Sequence, residues 1–204
     1  MKFSKLAPRI GSLAILLATL AVVGAAWAGP PTDAVKARQT ELFKLLEKPS
    51  DDANQKKVAA LLDELLDYDR LAEATLGSEW ATLKPEQRTE FAGLLKQLVR
   101  KAYEKNLRKI LAYNVEYVGE APAGEKTFLV KTLAKHKTDA REEPISVDFK
   151  LSERVAGKWL VVDIVTEEVS LVESYRSQFV KIVKKDGFAA LITKMKDKLA
   201  KGDV

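Results

Sequence analysis

The chain has 204 residues, 47% of them apolar, with 34 basic and 29 acidic side chains, no cysteine and one histidine, His136. That length suits one domain or two small ones and is ample for a core without cross-links. Without cysteine there is no disulfide framework, thiolate metal site or thiol nucleophile, and a single imidazole excludes poly-histidine metal centres.

Residues 1–28 read as a secretory signal peptide. Lys2, Lys5 and Arg9 give a positive start, residues 10–26 are uncharged and rich in Leu, Ala and Val, and Ala26-Trp27-Ala28 is a small-x-small cleavage site. The run of about 17 residues is at the low edge for a membrane span and contains Gly11, Ser12, Thr19 and Gly24, which favours cleavage over anchoring. Cleavage leaves residues 29–204 as the mature domain; three basic groups depart with the leader, so 31 bases face 29 acids. That near-neutral balance, and export itself, argue against a nucleic-acid partner. Export without cysteine points to a bacterial envelope.

Four helical stretches lead the mature chain. Residues 32–47 follow Pro30-Pro31 and stop at Pro49; Asp51 and Asp52 cap a second stretch to residue 66, with Val58, Leu61, Leu62, Leu65 and Leu66 at helical spacing. A short helix at 69–76 ends on Gly77. The longest, 85–112, starts on Pro85 and would run about 42 Å, with Leu94, Leu95, Leu98, Val99, Tyr103 and Leu107 on one stripe. The period then changes to two over 114–119, 126–135, 144–151 and 159–165, which predicts four strands joined by short loops in an antiparallel meander. In the third, Ile145, Val147, Phe149 and Leu151 alternate with Ser146, Asp148 and Lys150; in the fourth, Trp159 to Val162, Val161 included, is continuously apolar. Ser170 and Glu173 have capping-box spacing ahead of a helix to residue 186, striped by Leu171, Tyr175, Phe179, Ile182 and Val183; a last amphipathic helix spans 188–200. Helices on either side of one antiparallel sheet make an α+β domain.

No motif of nucleophilic, zinc-peptidase, P-loop or dinucleotide-binding type occurs. His136 sits between Lys135 and Lys137 at a strand end, where a solvated role is expected. Asp63, Glu64, Asp67 and Asp69 are the densest acids, but they lack the glycine of a calcium loop, and Asp67 and Asp69 serve well as helix caps. Glu167-Glu168 precede a helix, where acids complement the dipole. Asp163, alone on an apolar strand, is the one residue that could act as an acid or base in a pocket, so a small-molecule enzyme of cone-shaped α+β fold stays open as an alternative.

Several segments then fall in a distinctive order: Asp67-Tyr68-Asp69-Arg70-Leu71-Ala72, Leu76-Gly77 with Trp80, Pro85-Glu86-Gln87-Arg88, Pro144 to Leu151, Gly157-Lys158-Trp159 with Val162-Asp163-Ile164, and Val169 to Val172 with Tyr175-Arg176-Ser177-Gln178-Phe179. From about Leu65 onward this pattern resembles the MlaC, or toluene-tolerance, family of periplasmic phospholipid carriers. Glu168 departs from it, standing where relatives often carry Gly. The resemblance implies a monomeric, non-enzymatic carrier of a diacyl phospholipid, without cofactor or metal, in an ABC-type system that maintains outer-membrane lipid asymmetry. Its implied partners are an inner-membrane MCE-domain protein of the transporter complex and an outer-membrane lipoprotein complex. Subgroups tied to other envelope lipids, such as hopanoids, leave the lipid open.

The resemblance also implies an apolar cavity between sheet and helices. Two acyl chains carry on the order of 30 methylenes at about 0.8 kcal/mol each, so exposing them would cost about 24 kcal/mol, and a carrier must enclose nearly all of both. Leu94, Leu95, Leu98, Val99, Tyr103 and Leu107, the strand residues Val147, Phe149, Leu151, Trp159 and Val161, and the Leu171-to-Val183 stripe are the expected lining. Periodicity alone is equally compatible with these stripes packing on one another, as in a filled core that binds only protein. Arg176 and Gln178 fall at the apolar boundary of their helix; a guanidinium there needs a partner, either Asp163 or Glu168 as a structural clamp or a lipid phosphate at the cavity mouth.

Overall fold

A computed structural model describes residues 30–155 and 157–202, so the expected leader of residues 1–28 lies outside the described residues. Helix α1, Pro30–Leu46, opens on the proline pair. Helix α2, Asp52–Leu65, is capped by Asp51, whose side chain accepts from Asn54 N at 2.8 Å. Helix α3, Tyr68–Leu76, begins one residue before the expected Asp69, because the Asp67 carboxylate takes the backbone N–H of Arg70. Gly77, at φ +55°, turns the chain directly into a five-residue helix, α4, Ser78–Thr82, too short to leave a periodic signal. Helix α5, Pro85–Asn106, is shorter than expected: residues Leu107–Ala112 tighten into a 3₁₀ segment, whose i,i+3 spacing keeps the same apolar positions aligned. Arg108 fastens that segment to α1 through the carbonyls of Leu46 and Lys48.

The strands are β1 Tyr113–Gly124, β2 Thr127–His136, β3 Ile145–Val155, β4 Lys158–Thr166 and β5 Val169–Ser170, in one antiparallel sheet ordered β1-β2-β3-β4-β5. The fifth strand, two residues long, corrects the expected four. It returns through Glu167 and Glu168, at φ +49° and +65°, the paired left-handed residues of a tight hairpin turn. Glu167 also accepts the backbone N–H of Ser146, so it closes a turn as well as preceding a helix. Bulges in β1 and at the β3–β4 pairing curl the sheet.

Ser170 caps α6, Leu171–Asp186, as its spacing predicts, and α7, Phe188–Lys201, closes the described chain. The main core gathers Leu71, Leu76, Phe91, Leu95, Leu98, Val130, Leu151, Val161 and Leu191 between helices and sheet. A second, smaller cluster joins Leu42, Leu46, Val58, Leu61, Leu62 and Leu107 where α1, α2 and the 3₁₀ segment meet. Tyr103 packs against both. Among the described residues no helix is long and apolar enough to cross a membrane.

Candidate functional site

Strand register decides which side chains share a face. Pairings of Leu151 with Phe128 and Val161, of Phe149 with Val130 and Ile164, and of Val147 with Thr166 put Val147, Phe149, Leu151, Trp159 and Val161 on one side of the sheet. Phe128 meets Trp159 edge-on across that face at 5.4 Å. Helix α1 crosses the same face at β1. Thr32 donates through both N and Oγ1 to Glu120, and the Tyr117 hydroxyl bonds to Gln39. Val35, one turn on from Thr32, is 2% exposed and enters the core, a role its isolated position in the sequence did not single out.

The expected lining falls into three groups. Leu94, Leu95, Leu98, Val99, Leu151, Val161 and Phe179 are buried against one another in the main core. Tyr103, Phe149, Trp159, Tyr175, Ile182 and Val183 pack against that core yet stay half-buried, as does Ile164 beside them. Leu107 belongs to the second cluster, while Val147 and Leu171 are half-buried and belong to neither. The apolar face is therefore sealed midway, at Val130, Leu151 and Val161, and incompletely covered on both sides, toward Val147 and Ile164 and toward Phe128 and Trp159.

The polar residues behave differently from expectation. Arg176 pairs with neither Asp163 nor Glu168. Its Nε donates to the carbonyl of Ala74 at 2.7 Å, tying α6 to the end of α3, and its Nη1 meets Glu173 at 2.7 Å. Asp163 is engaged elsewhere: it accepts from Ser170 Oγ at 2.6 Å, from Val172 N at 3.1 Å and from Ile164 N at 2.9 Å. With three donors on it, Asp163 organises the start of α6 and is not the lone pocket acid that the enzyme alternative requires. Gln178 is exposed and bonds to the carbonyl of Ser174, so its place at the apolar boundary is corrected to the outer surface.

Burial pushes the phenols of this region above their ordinary value. Tyr103 rises well above the ordinary tyrosine range, mainly by desolvation, with Tyr175 and Asp163 adding to it. Tyr175 rises for the same first reason. Around the rim, two clefts open on the surface. One of about 520 Å³ runs between Tyr68, Trp80, Ala92, Lys96 and Leu160; the other, of about 390 Å³, lies between Leu46, Asn54, Val58, Lys101 and Leu107. The first holds a charged cluster that the acidic run only hinted at. Asp63 pairs with Lys96 at 2.9 Å and with Arg100, and the Lys96 ammonium lies over the Tyr68 ring at 5.1 Å.

An inner sheet face left half-covered by helices is an arrangement suited to an apolar guest, and the comparisons bear on which. Residues 36–197 match the family described as MlaC protein. The chain is 26% identical over 175 residues to the intermembrane phospholipid transport system binding protein MlaC of Haemophilus influenzae, covering 77% of this chain and 81% of that one. In fold it is similar to the structure of a phospholipid-binding protein from Ralstonia solanacearum in complex with a phospholipid, at TM-score 0.72 and 22% identity, over 85% of this chain and 99% of that chain.

Proposed function

This chain belongs to the MlaC family, and from that premise we propose that its mature form is a periplasmic carrier that takes a diacyl phospholipid from one envelope membrane to the other. The match across residues 36–197 carries the reading. The half-covered face supports it physically. Phe149, Ile164, Tyr175, Ile182 and Val183 present apolar surface that the protein alone does not fully bury, and two acyl chains gain on the order of 20 kcal/mol by leaving water. Tyr103, which packs against both clusters, would be among the side chains that meet the acyl chains. Headgroups stay outside, and transfer is completed by docking with an inner-membrane MCE-domain protein and an outer-membrane lipoprotein complex.

The reading requires no chemical step. The residues hold, orient and release a ligand, with apolar burial as the driving force and a change of partner as the trigger. Export to the periplasm rests on the leader-like residues 1–28. A transfer assay tests the role: mature protein added to donor vesicles with a fluorescent phospholipid and to unlabelled acceptors should accelerate exchange in proportion to its concentration. Exchange no faster than with an inert protein of equal size would refute it.

A further inference from the structure

Without residues 1–28 the chain carries 31 bases against 29 acids, and that charge is unevenly spread. The end of α1, the first half of α2, the end of α5 with the 3₁₀ segment, and the end of α7 meet around the 390 Å³ cleft. Two cations are fixed there: Arg108 on the carbonyls of Leu46 and Lys48 at 2.8 and 2.7 Å, and Lys101 on the carbonyl of Leu199 at 2.6 Å. Around them Lys44, Lys48, Lys56, Lys57, Lys198 and Lys201 are exposed. With Lys109 they make nine cations, against Glu47, Asp51, Asp52, Glu104 and Asp197 on the same segments. Among the described residues none of the nine forms an ion pair; Lys126, Lys131, Lys150 and Lys158 on the sheet form none either, so what sets this end apart is the clustering of its cations around one cleft.

Helix dipoles account for part of this. Lys44 and Lys48 close α1, and Lys198 and Lys201 close α7, where cations are favoured. They do not account for Lys56 and Lys57, which sit in the second turn of α2, past the first turn that Asp51 caps. Eight of the nine are lysines, hydrated point charges on flexible stems, and not the planar forks that fix a single carboxylate or phosphate in place. The large apolar side chains that stand exposed among the described residues, Val118, Val155 and Val169, all lie on the sheet and none at this end.

We propose that this basic end docks the protein on an anionic phospholipid bilayer, seating the α1–α2 lobe against the headgroups. The proposal rests on the carrier reading for its purpose but not for its test. A diffuse array of mobile lysines matches a diffuse layer of phosphates, and contact without an inserted apolar wedge is reversible, as a shuttle needs. Such binding is steeply salt-dependent.

Sedimentation of the mature protein with vesicles of phosphatidylcholine, with or without about one third phosphatidylglycerol, tests it. At about 0.1 M salt the protein should sediment only with the anionic vesicles and be released at about 0.5 M. The Lys56→Glu/Lys57→Glu/Lys198→Glu/Lys201→Glu variant should bind at least tenfold more weakly. A variant with the same charge change on the sheet, Lys126→Glu/Lys131→Glu/Lys150→Glu/Lys158→Glu, should bind within about threefold of wild type. Circular dichroism establishes that both fold. Equal losses in the two variants, unchanged binding by the first, or no vesicle binding by a protein that instead pulls down an acidic protein surface would each overturn the proposal. Vesicle docking is read separately from lipid content, so a lipid-free protein that still docks leaves this inference standing while the carrier reading fails.

Discussion

Replacing Arg176 with alanine separates a structural guanidinium from one that binds ligand. In the folded protein its Nε–H reaches the carbonyl of Ala74, among the last four carbonyls of α3, which a helix leaves without intrahelical partners. A hydrogen bond from a charged donor is worth about 1.5–3 kcal/mol. The pair with Glu173 adds little, since the two side chains are 39% and 63% exposed at i,i+3 spacing. Arg176→Ala should therefore destabilise by about 2–3 kcal/mol. For a domain of this size that lowers the melting temperature by roughly 4–12 °C. Arg176→Lys, which keeps the charge but not the directed Nε–H, should recover less than half. Thermal melts followed by circular dichroism measure the loss, and mass spectrometry of extracted lipid measures occupancy, which should stay unchanged in protein that remains folded. An Arg176→Ala variant that melts with wild type but loses anionic lipid would refute this reasoning and place the guanidinium on a phosphate.

The remaining predictions concern the core, the hairpin and pH. Phe91 is fully buried and meets Phe179 at 5.6 Å and Trp80 at 6.3 Å edge-on, so Phe91→Ala should cost about 3–5 kcal/mol in denaturant melts. Glu168 sits at φ +65°, a conformation that glycine adopts without penalty, so Glu168→Gly should stabilise by about 1 kcal/mol; a loss of stability would mean that its side chain supports the turn. Burial, with Asp63 beside it, pushes the Tyr68 phenol from 10.0 to about 12. Below pH 10 both folded and unfolded states keep it neutral; above that the unfolded chain ionises first, so its contribution is lost as pH rises through about 12. Tyr68→Phe should make the alkaline decline in stability shallower, and identical pH profiles for the two proteins would contradict this.

Features written in consecutive residues were legible. Pro85 starts α5, Asp51 and Ser170 cap their helices, and the alternation of Ile145, Val147, Phe149 and Leu151 marks one face of β3. Elements too short for a period were not: α4 follows the turn at Gly77, and β5 exists because two left-handed glutamates fold it back on β4. Glu168 stands at positive φ, a conformation that glycine adopts without strain. The 3₁₀ segment was hidden because residues 107, 110 and 111 satisfy either helical spacing.

Partner choice was the least legible layer. Arg176 meets Ala74 across 102 residues and Thr32 meets Glu120 across 88, and no local pattern encodes such a pairing. Gln178 looked internal because it lies three positions from Tyr175, but α6 buries the side with Val172 and Phe179 and leaves Gln178 in solvent. Most of the residues expected to line a cavity pack in one of the two clusters, Val147 and Leu171 in neither, and register and helix crossing decided which of them are sealed and which remain half-covered.

Organic extraction of the purified mature protein, followed by mass spectrometry against protein concentration, bears most directly on whether the half-covered face holds a lipid. One diacyl phospholipid per folded chain is the expected yield. A folded monomer from cells rich in phospholipid whose extract contains no two-chain lipid would contradict the account.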